Sequence, residues 1–338
     1  KGRIGFDSQL QEVLTKVQRK NFVATPVNEK DKTSAWLTGK PKALRAIRKI
    51  LGKSDYEAHA GAYTGGANGV YWLEIWEKTP DGLVMVTNLT EGQKRDIPKV
   101  PLTALEPDLV YPLLRGRDVK RWQAQPSAWI LMVQDLQKRR GVDEEEMQLN
   151  YPKTWSYLKQ FEAPLRQRKA RGVSDMVEQG APFYTMFAIS DYTFATYKVV
   201  WREQASSLTA SVVGSYEDKV IIPDHKLMLV DCQTHKEAHY ACALLNSSPT
   251  IFAAKCYAVE TQIDTHIIKN VNIPKFDPRN TLHLKLAELS EQAHSLGAIS
   301  EDKALSETEE EINRLSGELW GLSDDELAEL KTSLDEIS

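Results

Sequence analysis

The change of hydrophobic pattern along the chain constrains its fold more than any other sequence feature. Helical periodicity marks residues 6–20 and 41–51, and it returns from Thr234 to about Val259 and again towards the end. Between these parts lie short runs rich in β-branched and aromatic residues, which are typical of strands. The separation predicts an α+β fold whose sheet is mixed or antiparallel, with packed helices and a helical C-terminal extension.

One pair of strands is marked by its turn. Residues 70–76 and 83–86 flank Thr79-Pro80-Asp81-Gly82, which is a turn signal, so we predict a hairpin. Residues 153–171 are predicted to be helical and become more basic towards their C-terminal end. Further strands are predicted at residues 129–133, 198–202, 210–215, 219–222 and 226–231.

Charge divides the chain into two parts at Asp277-Pro278-Arg279-Asn280. Residues 281–338 hold 4 Lys and Arg against 15 Asp and Glu, a net charge of −11, whereas residues 1–280 hold 39 against 32, a net of +7. We predict a body at 1–280, with a helical lead-in at 1–55, and an acidic extension at 281–338 with three helices. The asymmetry indicates a body that faces nucleic acid and an extension that packs on the body or on another subunit.

Composition excludes several classes of protein. No run of about 18 apolar residues is present, so we expect no membrane span and no membrane partner. Three cysteines without a C-x-x-C spacing argue against a disulfide framework and indicate the cytoplasm. The chain starts at Lys1 without an apolar leader, and we expect it to be a piece of a longer polypeptide.

The segment Tyr111–Trp122, Y-P-L-L-R-G-R-D-V-K-R-W, has the composition of a polyanion site. It holds four cations behind an apolar anchor, and arginine presents a planar fork of donors that suits phosphate oxygens or the edge of guanine. Gly116 allows close backbone approach. We expect Asp118 to pair with Arg115 or Arg121 and to have no catalytic role.

Basic clusters recur beyond this segment, since residues 111–171 hold 13 Lys and Arg against 7 Asp and Glu, with aromatic residues between them. Phosphate neutralisation would supply affinity for DNA, and a few side chains would read bases; the alternative is a solvated basic face. The glycine cluster at residues 64–69 precedes a strand, which favours a tight turn near a partner over a nucleotide cradle. The predicted DNA-contacting residues are Arg115, Arg117, Lys120, Arg121, Lys138, Arg139, Arg140, Arg166, Arg168, Lys169, Gly65, Gly66 and Asn68.

Two metal-based alternatives are weaker. Asp191 and Glu217 could serve a Mg²⁺-dependent nuclease, but residues 215–218 are more simply a hairpin turn. His235, His239 and Cys242 share a helix face, yet a zinc site needs a further ligand, for which only His225 or Asp224 offers itself. We therefore predict a structural helix there, no metal site and no catalytic residue.

With its surroundings, the segment Tyr111–Trp122 resembles the C-terminal target-recognition region of type IIG-like adenine-N6 DNA methyltransferases, bacterial-type enzymes of restriction–modification and phage defence. The other matching motifs follow in the family's order from about residue 60. They are Tyr63-Thr64-Gly65 with Asn68, Tyr151-Pro152-Lys153-Thr154-Trp155, Pro182-Phe183-Tyr184, Tyr197-Lys198-Val199-Val200-Trp201-Arg202, Ile222-Pro223-Asp224-His225-Lys226, Glu237-Ala238-His239-Tyr240, Leu245-Asn246-Ser247-Ser248-Pro249, Ile273-Pro274-Lys275-Phe276 and Leu319-Trp320-Gly321-Leu322-Ser323.

The resemblance implies a recognition module that binds double-stranded DNA and helps to present a flipped adenine. The family's methyl-donor motif and its Asn-Pro-Pro-aromatic loop lie N-terminal to this region and are missing here. The chain would therefore hold no cofactor, whereas S-adenosylmethionine would bind an N-terminal methyltransferase domain of the same polypeptide. Restriction or defence subunits are further possible partners. A stand-alone DNA specificity subunit is the alternative, although such subunits show two recognition halves and no internal repeat is present.

Overall fold

The computed structural model describes residues 9–17, 21–27, 30–31, 33–34, 36–90, 97–257 and 262–337. The helices are α1 Leu10–Lys16, α2 Pro41–Ile47, α3 Asn68–Tyr71, α4 Glu144–Asn150, α5 Pro152–Lys159, α6 Glu162–Arg166, α7 Arg171–Glu178, α8 Asp191–Phe194, α9 His235–Asn246, α10 Ser248–Tyr257, α11 His266–Asn270, α12 Thr281–Ile299, α13 Asp302–Leu319 and α14 Asp324–Ile337. Short 3₁₀ turns cover Pro107–Leu109 and Gly116–Asp118.

The strands are β1 Val23–Pro26, β2 Trp36–Gly39, β3 His59–Ala60, β4 Trp72–Lys78, β5 Val84–Asn88, β6 Thr103–Leu105, β7 Val110–Leu114, β8 Val119–Lys120, β9 Gln123–Ala124, β10 Ala128–Leu131, β11 Gln134–Asp135, β12 Arg140–Gly141, β13 Tyr197–Arg202, β14 Ala210–Val213, β15 Ser215–Tyr216, β16 Lys219–Val220, β17 Ile222–Pro223 and β18 Leu227–Cys232. The predicted α+β class with a C-terminal helical part is confirmed.

Two larger sheets organise the described chain. The first has the order β17-β7-β10-β4-β5-β6, and its pairs are antiparallel except for β17 with β7. The second has the order β14-β13-β18-β3 and is antiparallel throughout. Because β17 belongs to one sheet and β18 to the other, residues 222–232 run directly between them.

A close backbone contact joins the sheets next to this crossing. Ala62 forms a parallel bridge with Asp224, and the Ala62 N–H donates to Pro223 O at 2.8 Å. A Cβ atom at Gly61 would lie 2.4 Å from the carbonyl oxygens of Pro223 and Asp224. Only glycine fits there, since a side chain would push the two segments apart.

Three buried clusters follow this architecture. One lies under the six-stranded sheet and includes Tyr71, Leu113 and Phe161. The largest packs the other sheet against α2, α9, α10 and α12–α14. A small third cluster, which includes Leu114 and Val200, lies between them. The body and the acidic extension therefore share one core, while the predicted boundary between residues 280 and 281 stays a prediction.

Several local predictions are confirmed. Pro41 opens α2, and the hairpin β4–β5 turns at Gly82, whose φ is 85°. The strands predicted at 129–133 and between 198 and 231 are present as β10 and β13–β18. Ser323 and Glu326 form the predicted capping box, because the Glu326 carboxylate accepts from Ser323 N and the Ser323 hydroxyl accepts from Glu326 N.

Three predictions are corrected. The single helix expected at residues 153–171 is divided into α5, α6 and the start of α7, because Pro164 has no N–H for Gln160 and its ring would clash with that carbonyl. The lead-in at 1–55 is not all helical, since β1 and β2 pair within it. The sequence also favours Asn246 as a helix cap, but its side chain bonds the backbone of Ala210 on β14 instead.

Parts of two predicted helices lie outside the described residues. They are residues 6–8 and 18–20 of the helix predicted at 6–20, and residues 258–259 at the end of the helical part that starts at Thr234.

Cys232, Cys242 and Cys256 are all buried thiols, and burial raises the pKa of Cys256 to about 12. Among the described residues no helix is both long and apolar enough to cross a bilayer.

Candidate nucleic-acid interface

The segment Tyr111–Trp122 forms a sharp corner between the two sheets. β7 ends at Leu114, and the 3₁₀ turn Gly116–Asp118 redirects the chain into β8. Asp118 closes the turn, since its Oδ2 accepts from Arg115 N at 2.8 Å and its Oδ1 accepts from the Ser127 hydroxyl at 2.5 Å. The expected pairing of Asp118 with Arg115 is confirmed, with 3.5 Å between Nε and Oδ2.

Arg115 is held rigidly at the base of this corner. Its Nη2 donates to the Ser127 hydroxyl at 2.6 Å, and its guanidinium carbon lies 5.8 Å from the centre of the Trp72 ring. The side chain is only 13% exposed. Its Nε is buried and has no hydrogen-bond partner in the part of the chain that the structure describes. Arg115 is therefore a preorganised cation, whose Nε lies next to the Asp118 carboxylate without a hydrogen bond to it.

An aromatic cavity of about 460 Å³ opens beside Arg115. Trp72, Trp129 and Tyr216 line it, together with Arg117 and Glu74. The Trp72 indole Nε1 is also buried and lacks a hydrogen-bond partner within the described residues. An unpaired buried donor is destabilising, and both of these donors belong to residues that line this cavity. Flat aromatic walls add affinity for a planar group.

Arg117 and Lys120 form the exposed edge of the corner. Neither makes an ion pair within the described ranges, and both line a second cavity of about 600 Å³, whose other side includes His294 and Ala298 of α12. Arg117 lines both cavities. A Cβ atom at Gly116 would meet nothing within 4 Å, so this glycine leaves the surface between the arginines open.

Arg121 points into the protein, although the sequence places it among the DNA contacts. Its Nε donates to Glu309 of α13 at 2.5 Å, and its Nη2 donates to Asn246 O at 2.9 Å. The neighbouring Trp122 is buried, with φ 62°, and its indole donates to the same Glu309 carboxylate. These contacts attach the acidic extension to the corner, so Arg121 is left out of the proposed interface.

The second basic cluster, Lys138–Arg140, forms the turn of the β11–β12 hairpin. Lys138 and Arg140 both pair with Asp143, at 2.5 and 2.6 Å. The hydrogen bond from Lys138 lowers the pKa of the Asp143 carboxyl and raises that of Lys138 itself. Arg139 is exposed in a left-handed conformation with φ 50°, and it makes no ion pair with any described residue. It is the available cation of this cluster.

The third cluster contains the clearest correction. Arg168 is 3% exposed, and its guanidinium donates to the carbonyl oxygens of Leu165, Thr64, Thr185 and Phe183. A side chain so enclosed cannot reach DNA. Its hydrogen bonds hold buried backbone segments together instead. Arg166 is exposed but pairs with Glu162, whereas Lys169 is exposed and makes no ion pair within the described segments.

The glycine loop belongs to this third cluster. Gly65 and Gly66 have φ values of 71° and 81°, which confirms a tight turn that side chains rarely permit. The Asn68 side-chain oxygen accepts from the Thr64 hydroxyl at 2.5 Å, and the Thr64 carbonyl accepts from Arg168. A buried arginine thus fixes the loop, of which Gly66 is exposed. That role of Arg168 leaves no periodic signal in the sequence.

The nuclease alternative is not supported. Glu217 and Asp218 form a two-residue hairpin turn with φ values of 47° and 61°, as predicted, and Glu217 pairs with Lys78 at 3.1 Å. Asp191 lies in the first turn of α8. Neither carboxylate belongs to a group of three metal-ligating side chains within the described residues.

Sequence reasoning missed the aromatic walls Trp72, Trp129 and Tyr216. Residues 70–76 and 129–133 are predicted strands, but nothing in their alternation shows that a tryptophan of each borders the same cavity. The signal that could have found them is the presence of two tryptophans on strands that pair with each other, β4 and β10.

No family model matches the chain, and no curated protein matches it in sequence. Solved structures do align with it. The type IIL restriction–modification enzyme MmeI in complex with DNA aligns with 85% of the chain at 11% identity and a TM-score of 0.49. The type IIG restriction endonuclease BpuSI aligns with 88% at 14% identity and a TM-score of 0.38.

This chain spans 37% of the MmeI chain and 33% of the BpuSI chain. At this identity and these TM-scores, neither neighbour's activity transfers to the present chain.

Proposed function

We propose that this chain is a double-stranded DNA recognition module of a restriction–modification enzyme, which contacts DNA through the corner at Tyr111–Trp122. The observation that carries the proposal is the position of Arg115 beside the aromatic cavity. Arg115 and Trp72 line this cavity together with Arg117, and Arg117 and Lys120 line the neighbouring one, where neither makes an ion pair within the described residues. Acceptors, a planar surface and negative charge are combined in nucleotides.

The exposure of each cation indicates its role in binding DNA. Arg117 and Lys120, supported by Arg139 and Lys169, would neutralise backbone phosphates, which provides affinity without sequence information. Arg115 and Trp72 would donate to acceptors on a base, since their positions are fixed by packing. The Gly65–Gly66 turn would approach the backbone of the DNA or of a neighbouring domain.

The finer assignment rests on the sequence resemblance. We infer that the module serves adenine-N6 methylation and that a methyltransferase domain outside this chain binds S-adenosylmethionine and carries the catalytic loop. The chain itself would be non-catalytic. Incubation of the chain with DNA and labelled S-adenosylmethionine is expected to leave the DNA unmethylated; methyl transfer would overturn this assignment.

Fluorescence anisotropy with a labelled duplex tests the interface. The double variant Arg117→Glu/Lys120→Glu is expected to bind at least about tenfold more weakly than the wild type, because two attractive phosphate contacts become repulsive. Both side chains are exposed and make no ion pair with a described residue, so the fold should tolerate the change. Lys303→Glu is the matched control, since this side chain is 92% exposed on α13. Equal loss in the control, or no loss in the double variant, would contradict the proposal.

A further inference from the structure

A second cluster of reactive side chains lies where α9 packs against α12. His235 and His239 are one turn apart on α9, and Glu291 lies on α12. One ligand atom from each of these three side chains falls within a mutual distance of 4.8 Å. Across the described residues, this is the one group of three His, Cys, Asp or Glu side chains close enough to hold a metal ion.

The two imidazoles are arranged as a metal requires. Their Nε2 atoms face each other at 3.2 Å. Two nitrogens bound at about 2.0–2.1 Å to a tetrahedral ion lie roughly 3.3–3.4 Å apart, so only a small separation of the rings is needed. The Nδ1 atom of His239 lies 3.0 Å from the Ser290 hydroxyl. A hydrogen bond from Nδ1–H to this oxygen leaves the Nε2 lone pair for an ion.

Glu291 supplies the ligand that the sequence does not reveal. Its Oε1 lies 3.2 Å from His235 Nδ1, and its side chain is 39% exposed, so the carboxylate can rotate towards an ion between the imidazoles. His225 and Asp224, the candidates from the sequence, bond to each other at 2.6 Å instead. The third ligand is 52 residues beyond His239 in the chain, which explains why spacing could not indicate it.

Neighbouring groups define the limits of the site. His294 meets His239 edge to face, with 4.8 Å between ring centres, but both of its nitrogens are used. Its Nδ1 donates to Ser290 O at 2.7 Å, and its Nε2 accepts from Val212 N at 3.0 Å. Cys242 is buried and accepts a long contact from Asn246. The ligand set is therefore two nitrogens and one oxygen, with a fourth position open to water.

We propose that His235, His239 and Glu291 bind one divalent transition-metal ion, Zn²⁺ foremost, that joins the acidic extension to the body. Imidazole ligands select Zn²⁺ and related ions over Mg²⁺ and Ca²⁺, which prefer oxygen. An ion can enter from solvent, because the His235 side chain is 53% exposed. The bond would tie α9 to α12 across the largest hydrophobic cluster, so it would stabilise the fold without acting on DNA.

Isothermal titration calorimetry of the chelator-treated chain with ZnCl₂ tests the proposal, and thermal unfolding with and without Zn²⁺ provides a second readout. The expected result is one Zn²⁺ per chain and a higher melting temperature with Zn²⁺, since an ion that binds only the folded state stabilises it. MgCl₂ at the same concentration should neither bind detectably nor change the melting temperature. His235→Gln and Glu291→Gln are each expected to weaken Zn²⁺ binding by at least about tenfold.

Glu288→Gln is the matched control, because Glu288 is exposed on the same helix and pairs with the exposed Lys285. It should bind Zn²⁺ like the wild type. Both ligand positions are partly exposed, so their variants should fold and melt cooperatively without metal. The proposal is overturned by an absence of Zn²⁺ binding, or by binding and stabilisation that His235→Gln and Glu291→Gln leave unchanged.

Discussion

At the scale of single residues, the corner combines one fixed and two exposed cations. Arg115 is held by Ser127, Asp118 and the Trp72 ring, whereas Arg117 and Lys120 extend into solvent without ion pairs to the described residues. A fixed donor loses little conformational entropy on binding, and exposed lysines and arginines adapt to a phosphate backbone. Such a division suits a surface that must both hold and read a duplex.

Trp72→Phe separates binding from stability. The change removes the unpaired indole donor and keeps an aromatic wall, so the free energy of unfolding should stay equal or rise, since an unsatisfied buried donor costs about 1–3 kcal/mol. Affinity for the preferred duplex should fall about fivefold, which corresponds to one lost hydrogen bond of about 1 kcal/mol. Urea unfolding and anisotropy measure the two effects.

Trp76→Phe is the control, because that indole is exposed on the same strand and donates to Thr87 at 3.1 Å. It should leave the affinity for DNA unchanged. Loss of stability without loss of affinity in Trp72→Phe would count against a ligand-binding role of the cavity.

Arg168→Met tests the structural role of the buried arginine. Four carbonyl oxygens would lose a charged donor, and hydrogen bonds to charged groups contribute about 1.5–3 kcal/mol each, so the free energy of unfolding should fall by roughly 3 kcal/mol or more. Arg166→Met should change it by less than about 0.5 kcal/mol, because Arg166 is exposed. A small effect of Arg168→Met in urea unfolding would restore this residue as a surface candidate.

At the scale of elements, the acidic helix α13 is attached to the corner through a single carboxylate. Glu309 accepts from both Arg121 Nε and Trp122 Nε1 at 2.5 Å. The contact connects the basic corner with the acidic extension. Through this contact the extension supports the corner.

Glu309→Ala should destabilise the protein by about 2 kcal/mol, since two donors lose a charged acceptor. Glu307→Ala, two residues earlier on α13, should have an effect within about 0.5 kcal/mol because its pair with Lys303 is solvent-exposed. Chemical unfolding of both variants measures the difference. Equal effects would show that the Glu309 contact does not hold the extension.

Strand β13 contains a buried amine that should make stability depend on pH. Lys198 donates to the carbonyl oxygens of Ala195 and Ile221, and burial lowers its pKa from 10.5 to about 7. Above pH 7 the unfolded chain therefore holds a proton that the folded chain lacks, so the free energy of unfolding rises with pH.

From pH 7 to 8.5 this slope should approach roughly 1 kcal/mol per pH unit, and Lys198→Met should remove it. Urea unfolding at several pH values compares the two proteins. Parallel pH profiles would show that Lys198 keeps an ordinary pKa in the folded state.

The elements also show how far the sequence predicts the fold. The sequence predicts strands β4, β5, β10 and β13–β18, because local composition and turn residues mark them. The division of residues 153–171 into separate helices depends on Pro164 and on the buried position of the Arg168 side chain. Tertiary contacts decide the burial of Arg168. Contacts across sheets, such as Gly61 against Asp224 or the aromatic cavity, join residues far apart in the chain, and periodicity carries no information about them.

At the scale of the whole molecule, a basic body and an acidic extension form one packed unit. Leu286, Ile312 and Leu330 of the extension lie in the same buried cluster as Trp201 and Leu244 of the body. The boundary between basic and acidic sequence therefore does not coincide with a boundary between hydrophobic cores. A basic body beside a negatively charged extension would favour one orientation of DNA on the protein.

The salt dependence of duplex binding tests the central claim most directly. The logarithm of the association constant should fall linearly with the logarithm of salt concentration, and Arg117→Ala/Lys120→Ala should reduce the slope by about two, since each lost phosphate contact removes roughly 0.9. The account predicts steep, salt-dependent binding by the wild type and this reduction in the variant. Absent binding, or a slope that the double variant leaves unchanged, would contradict it.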